Sequence, residues 1–273
     1  MVKYAIENKA AQSAFTKQSA VFDQTYASNS IVSYKREKIR SHVEKYVKTG
    51  STILELNAGT GQDAVYFAQK GYSVHATDIS EGMLSQLQKK VDRLELADLI
   101  SHEQISFLDL EKLTNKGPFE AIFSNFGGLN CTQSLDKVIS TFAPLLKPNG
   151  YVTLVIMPPF CLWEFLHVVR GHFKVAFRRL FAKKGAKAHI DGVHFLCWYY
   201  PPSYVIKQLK KEFDLVSLEG VCTIVPPSYM EGFPDKYPGL WQFLKRAEAK
   251  FSTKFPFNRI GDYYAITLQK KSV

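Results

Sequence analysis

The chain has 273 residues, 46% of them hydrophobic, which suits one large globular domain and excludes disordered or fibrous classes. Its formal net charge is +10, and its four cysteines are too sparse and too scattered for a disulfide framework or a zinc site. The longest apolar run, "YVTLVIMPPFCLW", is broken by Pro158 and Pro159 and falls short of the roughly 18 to 20 residues that a bilayer span needs.

Residues 8 to 47 read as two helices, with Phe15, Phe22 and Tyr26 on one face, either as plain packing or as a cover over a ligand. The opening fifteen residues lack a secretory core and a transit-peptide pattern, so a soluble, cytoplasmic protein in a reducing compartment is expected. From residue 51 to about 157, short runs rich in Val, Ile, Leu, Phe or Thr alternate with helical patterns. The runs are "STILELN", "YSVHATD", "ISFLDL", "FEAIFSNF" and "GYVTLVIM". Parallel strands need crossover helices, so this alternation predicts an α/β fold with a doubly wound sheet. A basic amphipathic helix is expected over about 161 to 184, then a strand at "HFLCWYY" and a helix at "PSYVIKQLKKEF". A strand over 214–225, a Pro-rich aromatic insertion to about 257 and a closing strand "DYYAITLQK" complete the chain.

The stretch "ILELNAGTGQDA" (53–64) carries an acid, Glu55, at the tip of the first strand, followed by a loop nearly bare of side chains. Such a loop lets backbone approach a ligand, and the helix after it offers free N–H groups. Asn57 is suited to the left-handed turn. "GTGQDA" formally fits G-x-G-x-x-A, and Asp78 lies nineteen residues past Gly59, as a ribose-binding acid would in a nicotinamide dinucleotide site. Glu55 argues the other way. A carboxylate at this mouth repels pyrophosphate and attracts a ligand bearing an ammonium and a sulfonium.

With "ELNAGTG", "HATDIS", "FLDL", "IFSNFGGLN" and "LLKPNGYVTLVI" in that order, the sequence resembles the class I S-adenosylmethionine-dependent methyltransferases over about 50 to 157. Asn57 and Ala58 depart from the family's commoner Gly and Cys. The resemblance implies a seven-stranded Rossmann-like sheet with N-terminal helices, and helical and aromatic insertions after strand 5 and between the last two strands. It implies one domain over 1–273: a helical cover at 1–48, a cofactor-binding core at 49–157, and substrate-side insertions at 158–200 and 226–257. The implied cofactor is S-adenosyl-L-methionine. Glu55, Asn57, Ala58, Gly59 and Gly61 would sit by its methionine part, Asp78 on its ribose, and Ile79 and Met83 against the ribose or adenine. Asp109 and the Leu110 backbone would meet the adenine amino group, Asn125 and Phe126 would line the channel, and Tyr26 would cover it. Asp78 and Asp109 have a competing reading as plain helix caps, and Ile79 and Met83 as plain core residues.

The basic stretch contains Arg170, Lys174, Arg178, Arg179, Lys183, Lys184 and Lys187, with no acid from 165 to 190. It reads as a solvated face, a surface for anionic lipid or an acidic apolar substrate, or a nucleic-acid contact. No RNA-binding module accompanies it. Trp163, Phe195, Trp198, Tyr199, Tyr200 and Trp241 suit an apolar acceptor pocket. If the acceptor needs a general base, His194 or His189 is the candidate, with Tyr199 or Tyr200 to orient it. The expected activity is in-line methyl transfer to a small hydrophobic or acidic acceptor. Four readings stand beside it: a lipid or quinone-type methyltransferase at a membrane surface, an RNA methyltransferase, a nicotinamide-dependent oxidoreductase, and a non-catalytic cofactor-binding module. Oligomeric state is left open, and no metal site is expected.

Overall fold

A computed structural model describes residues 2–190 and 192–272, with side chains from residue 9 onward. Three helices come first, α1 (Val2–Gln18), α2 (Phe22–Ala27) and α3 (Ser30–Glu44), where the sequence pattern suggests two. Asn29 starts α3 by accepting from the N–H groups of Ile31 and Val32 at 3.1 and 3.0 Å. Strand and helix then alternate: β1 (Thr52–Leu56), α4 (Gln62–Gln69), β2 (Ser73–Asp78), α5 (Glu81–Arg93), β3 (Ile100–Gln104) and β4 (Phe119–Ser124). Two short helices, α6 (Leu135–Ser140) and α7 (Phe142–Leu145), lead into β5 (Leu146–Ile156).

The second half holds α8 (Leu162–Phe165), α9 (Phe173–Ala176), a hairpin of β6 (Ala186–Ile190) and β7 (Val193–Cys197), and α10 (Pro202–Leu209). It closes with β8 (Phe213–Val221), α11 (Phe233–Lys236), α12 (Pro238–Phe251) and β9 (Tyr263–Lys270). Seven strands form one sheet in the order β3-β2-β1-β4-β5-β9-β8. The first five are parallel, and β9 enters antiparallel between β5 and β8. Side chains alternate across β1 with a period of two. Ile53 packs with Phe67, Phe123 and Val155 on one face, whereas Leu54 and Leu56 join Ile122, Phe142 and Leu154 on the other. Apolar layers on both faces explain why β1 reads as a nearly unbroken apolar run.

Three expectations shift. The third strand is "ISHEQ" rather than "ISFLDL", because β3 is the sheet's edge and can carry polar residues, so its sequence lacks the apolar mark of a central strand. The "HFLCWYY" strand pairs with β6 in a separate hairpin and does not enter the main sheet. The single basic helix over 161–184 is instead broken into α8, a 3₁₀ turn at Leu166–Arg170 and α9. Gly171 ends the turn at φ +75°, a left-handed conformation that stops helix growth. Among the described residues, no helix is long and apolar enough to cross a membrane.

Candidate active site

The C-terminal tips of β1, β2 and β4 open into one cavity of about 370 Å³. Glu55, one residue before the end of β1, is only 3% exposed yet lines this cavity. Its register sets it between Ala76 of β2 and Phe123 of β4. Its Oε2 has no hydrogen-bond partner among the described residues. Burial pushes the Glu55 carboxyl well above the usual range, and the neighbouring Asp63 carboxylate adds to this, while Arg40 and Arg36 pull the other way.

Asp63, in the first turn of α4, escaped the sequence reading. It accepts from Arg40 Nε at 2.7 Å and from Asn125 Nδ2 at 2.8 Å, and so ties the loop to α3 and to the tip of β4.

The loop's conformation follows its composition. Asn57, Gly59 and Gly61 all have positive φ, at 49°, 57° and 73°. Asn57 accepts from Ser124 Oγ at 2.6 Å and donates to the Asn125 carbonyl at 3.1 Å, so its side chain staples β1 to β4 beside the cavity. At Gly59 a Cβ would meet nothing within 4 Å, so there it is the backbone angle that calls for glycine. Gly61 lies outside the cavity lining, at the N-cap of α4, where a Cβ would stand 2.1 Å from Leu87 Cδ1. Its role is close packing of α4 on α5. Gly61→Ala should cost about 2–4 kcal/mol in a denaturant titration, from the left-handed backbone plus overpacking.

Asp78 ends β2. Its Oδ2 accepts from the Gly59 N–H at 2.9 Å and its Oδ1 from the Ser80 N–H at 2.8 Å, which fixes the carboxylate at the cavity wall. Burial pushes its carboxyl up, against the lowering effect of those N–H groups. Each oxygen keeps a lone pair, so two ligand hydroxyls can still be accepted. The helix-capping role belongs to Ser80, which accepts from the Met83 N–H at 3.2 Å.

Ala58, Ile79 and Met83 line the same cavity, as do Asn125 and Phe126 beyond β4. Tyr26 borders it from α2, with Phe22 packed on it edge to face at 4.9 Å. Above lies α1, tied down by Gln12 Nε2 donating to the Ile79 carbonyl at 2.9 Å and by a Thr16–Ser80 hydroxyl pair at 2.8 Å. Phe15 of α1 meets Phe195 of β7 at 5.8 Å.

Past Phe126 the walls become apolar: Met157, Ile190, Phe195, Cys131 and Cys197. The two thiols are hydrogen-bonded, which together with burial pushes Cys131 well up. Two cations of α3 also line the cavity and were not foreseen. Lys35 sits 4.9 Å from the Tyr263 ring centroid and 3.5 Å from Asp262, and Arg36 lies 4.9 Å from the Phe126 ring centroid. Their only sequence signal is a one-turn "YKRE" in an amphipathic helix, which equally suits a solvated face.

Besides Gly61, four expected site residues fall outside the cavity lining. Asp109 is on the 3₁₀ turn Phe107–Lys112, 40% exposed and paired with Lys112 Nζ at 2.6 Å. Leu110 is fully buried in the core beneath the sheet. With β3 ending at Gln104, the residues that reach the cavity are Ile105, Ser106 and Phe107. His194 is exposed on β7, its ring 4.7 Å from that of His189 on β6. The period-two alternation of β7 turns Phe195 and Cys197 inward instead. Tyr199 lies under the Arg179 guanidinium at 5.3 Å. Among the described residues, no histidine lines the cavity.

The residues present fit a cationic nucleoside ligand. An unpartnered buried carboxylate suits an ammonium, Asp78 suits a ribose, and the bare turn accepts close backbone approach. They do not fit pyrophosphate, since Glu55, Asp63 and Asp78 crowd the mouth. The sheet also departs from the dinucleotide-binding order 3-2-1-4-5-6 by admitting antiparallel β9 next to β5.

The fold is one shared with solved methyltransferases that carry S-adenosylhomocysteine. Residues 53–150 match the family model described as "Methyltransferase domain". The chain is 32% identical over 128 residues to "Putative methyltransferase YqeM" of Bacillus subtilis (strain 168), covering 45% of this chain and 49% of that protein. It is 31% identical over 107 residues to "S-adenosyl-L-methionine-dependent Diels-Alderase iccD" of Talaromyces variabilis, covering 39% and 36%. The chain thus spans about half or less of the length of these curated relatives. Among solved structures it shares its fold with the Burkholderia thailandensis 1,6-didemethyltoxoflavin-N1-methyltransferase bound to its substrate and S-adenosylhomocysteine. That match has a TM-score of 0.60 and 13% identity, over 97% of this chain and 88% of that one.

Proposed function

We propose that the protein is an S-adenosylmethionine-dependent methyltransferase whose acceptor is a small apolar molecule carrying an acidic group. The observation that carries this is Glu55: a buried carboxylate with a free oxygen, facing the same cavity as the bare turn and Asp78. Glu55 and the loop at Ala58 and Gly59 would hold the methionine part, Asp78 the ribose, and Ile79, Met83 and Phe107 the adenine. When bound, S-adenosylmethionine supplies an electrophilic methyl group on a sulfonium.

The chain's own contribution is alignment and exclusion of water. The apolar chamber of Met157, Ile190 and Phe195 takes the body of the acceptor. Lys35 and Arg36, paired loosely with Asp262 and Asp63 at 3.5 and 3.6 Å, would turn to an anionic head, and such an acceptor already presents its nucleophile without a histidine base. His194 and Tyr199, outside the cavity, are therefore not assigned a catalytic role. Four free cysteines suit a cytoplasmic, reducing setting.

Calorimetry with S-adenosylhomocysteine and with NAD tests the cofactor, and transfer of labelled methyl groups to an apolar extract fraction tests the activity. Uptake of NAD with indifference to S-adenosylhomocysteine would overturn the reading. Asp78→Ala should weaken S-adenosylhomocysteine binding about tenfold or more, through loss of charge-assisted hydrogen bonds.

A further inference from the structure

We propose that residues 165–184 form a docking surface for an anionic lipid bilayer, which sets the mouth of the cavity against the membrane. The segment carries large apolar side chains in water: Val169 is 86% exposed, Phe181 80% and Phe173 59%. Leu166 and Leu180 are exposed beside them. Arg170, Lys174, Lys183 and Lys184, interleaved with these tips, are exposed and make no ion pair among the described residues. No acid occurs from 165 to 190.

An interior lock fixes which side faces out. Arg179 is buried, donating to Glu164 Oε1 at 3.0 Å and to Asp262 Oδ1 at 2.8 Å, while Phe165 meets Phe177 at 5.9 Å. The short helices α8 and α9 therefore form an anchored knuckle rather than a loose tail.

Exposed apolar tips interleaved along one segment with a single sign of charge call for a partner that offers both hydrocarbon and anions, which is the chemistry of an acidic bilayer. RNA fits less well: Phe173 and Phe181 offer π-faces, but Val169, Leu166 and Leu180 do not, and their exposure is accounted for by hydrocarbon rather than by bases. The knuckle also adjoins the cavity. His167 lies 6.4 Å from the Tyr229 ring, Ser228 beside that tyrosine lines the cavity, and the basic stretch runs straight into β6, whose Ile190 does too. An apolar acceptor could pass from the lipid into the chamber without crossing water. The surface itself stands independently of the cofactor reading.

The test is flotation of the full chain with phosphatidylglycerol-containing vesicles and with pure phosphatidylcholine vesicles. The expected result is selective, salt-sensitive binding to the anionic vesicles. Val169→Asp with Phe181→Asp should lower it about tenfold or more. Lys174→Gln with Lys183→Gln and Lys184→Gln should lower it about a hundredfold, each cation being worth about fivefold. Both variants should keep the wild-type affinity for S-adenosylhomocysteine and the wild-type melting temperature. The proposal is overturned if the wild type does not float, if it floats equally with neutral vesicles, if the variants float as well as the wild type, or if it binds single-stranded RNA while ignoring vesicles. A wild type that floats but takes up no S-adenosylhomocysteine would overturn the cofactor reading and leave this surface standing.

Discussion

Glu55→Gln should make the empty protein more stable and nearly unable to hold its cofactor. In the free site the carboxyl is pushed well up by burial and by Asp63, so the folded state binds this proton more tightly than the unfolded chain does. Stability therefore falls as pH rises from the unfolded value of Glu towards the raised folded one, and the deficit is complete above it. Glutamine, isosteric and uncharged, removes that deficit. At pH 8 the variant should gain about 1–2 kcal/mol, or a few degrees in melting temperature. It should also lose about 10- to 100-fold in affinity for S-adenosylhomocysteine, whose ammonium no longer meets a charge. Wild-type binding should release a proton below the raised pKa and weaken towards tenfold per pH unit of acidification. Calorimetry in two buffers of different ionisation enthalpy reads the proton directly. Equal affinity in the variant would remove Glu55 from the site.

Arg179→Met should be the most damaging change away from the cavity. The guanidinium is shared by Glu164 and Asp262, and all three side chains are largely buried. Removing the cation leaves two buried carboxylates with only Arg178 and Lys35 beside them, at a cost of about 3–5 kcal/mol and about 10 °C in melting temperature. Burial pushes Asp262 up, but Lys35 and Arg179 more than offset it, so the carboxyl lies below the usual range. Its contribution is present above the unfolded pKa of Asp and is lost as pH falls through the folded one. The deficit of the variant should accordingly be widest at neutral pH and narrow on acidification. Thermal melts of both proteins between pH 2 and 7 would show this, with the gap narrowing below about pH 4, and a gap that stays constant down to pH 2 would refute the shared-cation account. Near Cys161, the same carboxylates resemble a metal cluster, yet Arg179 already occupies the space between them.

The central strands are legible because both of their faces are covered, which leaves an apolar run, and the cavity-lining acids Glu55 and Asp78 because they stand at the ends of such runs. Asp109 falls outside the cavity for the complementary reason. The edge strand β3 needs no apolar run, so the apolar "ISFL" after it carries the stronger strand pattern, and the true tip lies several residues earlier. Asp63, Lys35 and Arg36 were missed because helical polar residues look alike whether they face water or a cavity. Cys131 and Cys197 lie far apart in the chain, and only the hairpin of β6 and β7 brings them together. The basic stretch hid its internal lock, since its balancing acids, Glu164 and Asp262, flank or lie far beyond it in sequence.

The first helix bridges both halves of the chamber, fastened to the Ile79–Ser80 tip at one end and touching Phe195 at the other. Release of spent cofactor would then require Gln12 and Thr16 to let go of that tip, and the tempo of turnover would be set by how often that roof lifts rather than by the bond-making step. Pre-steady-state mixing should in that case reveal a rapid first round followed by a slower steady rate.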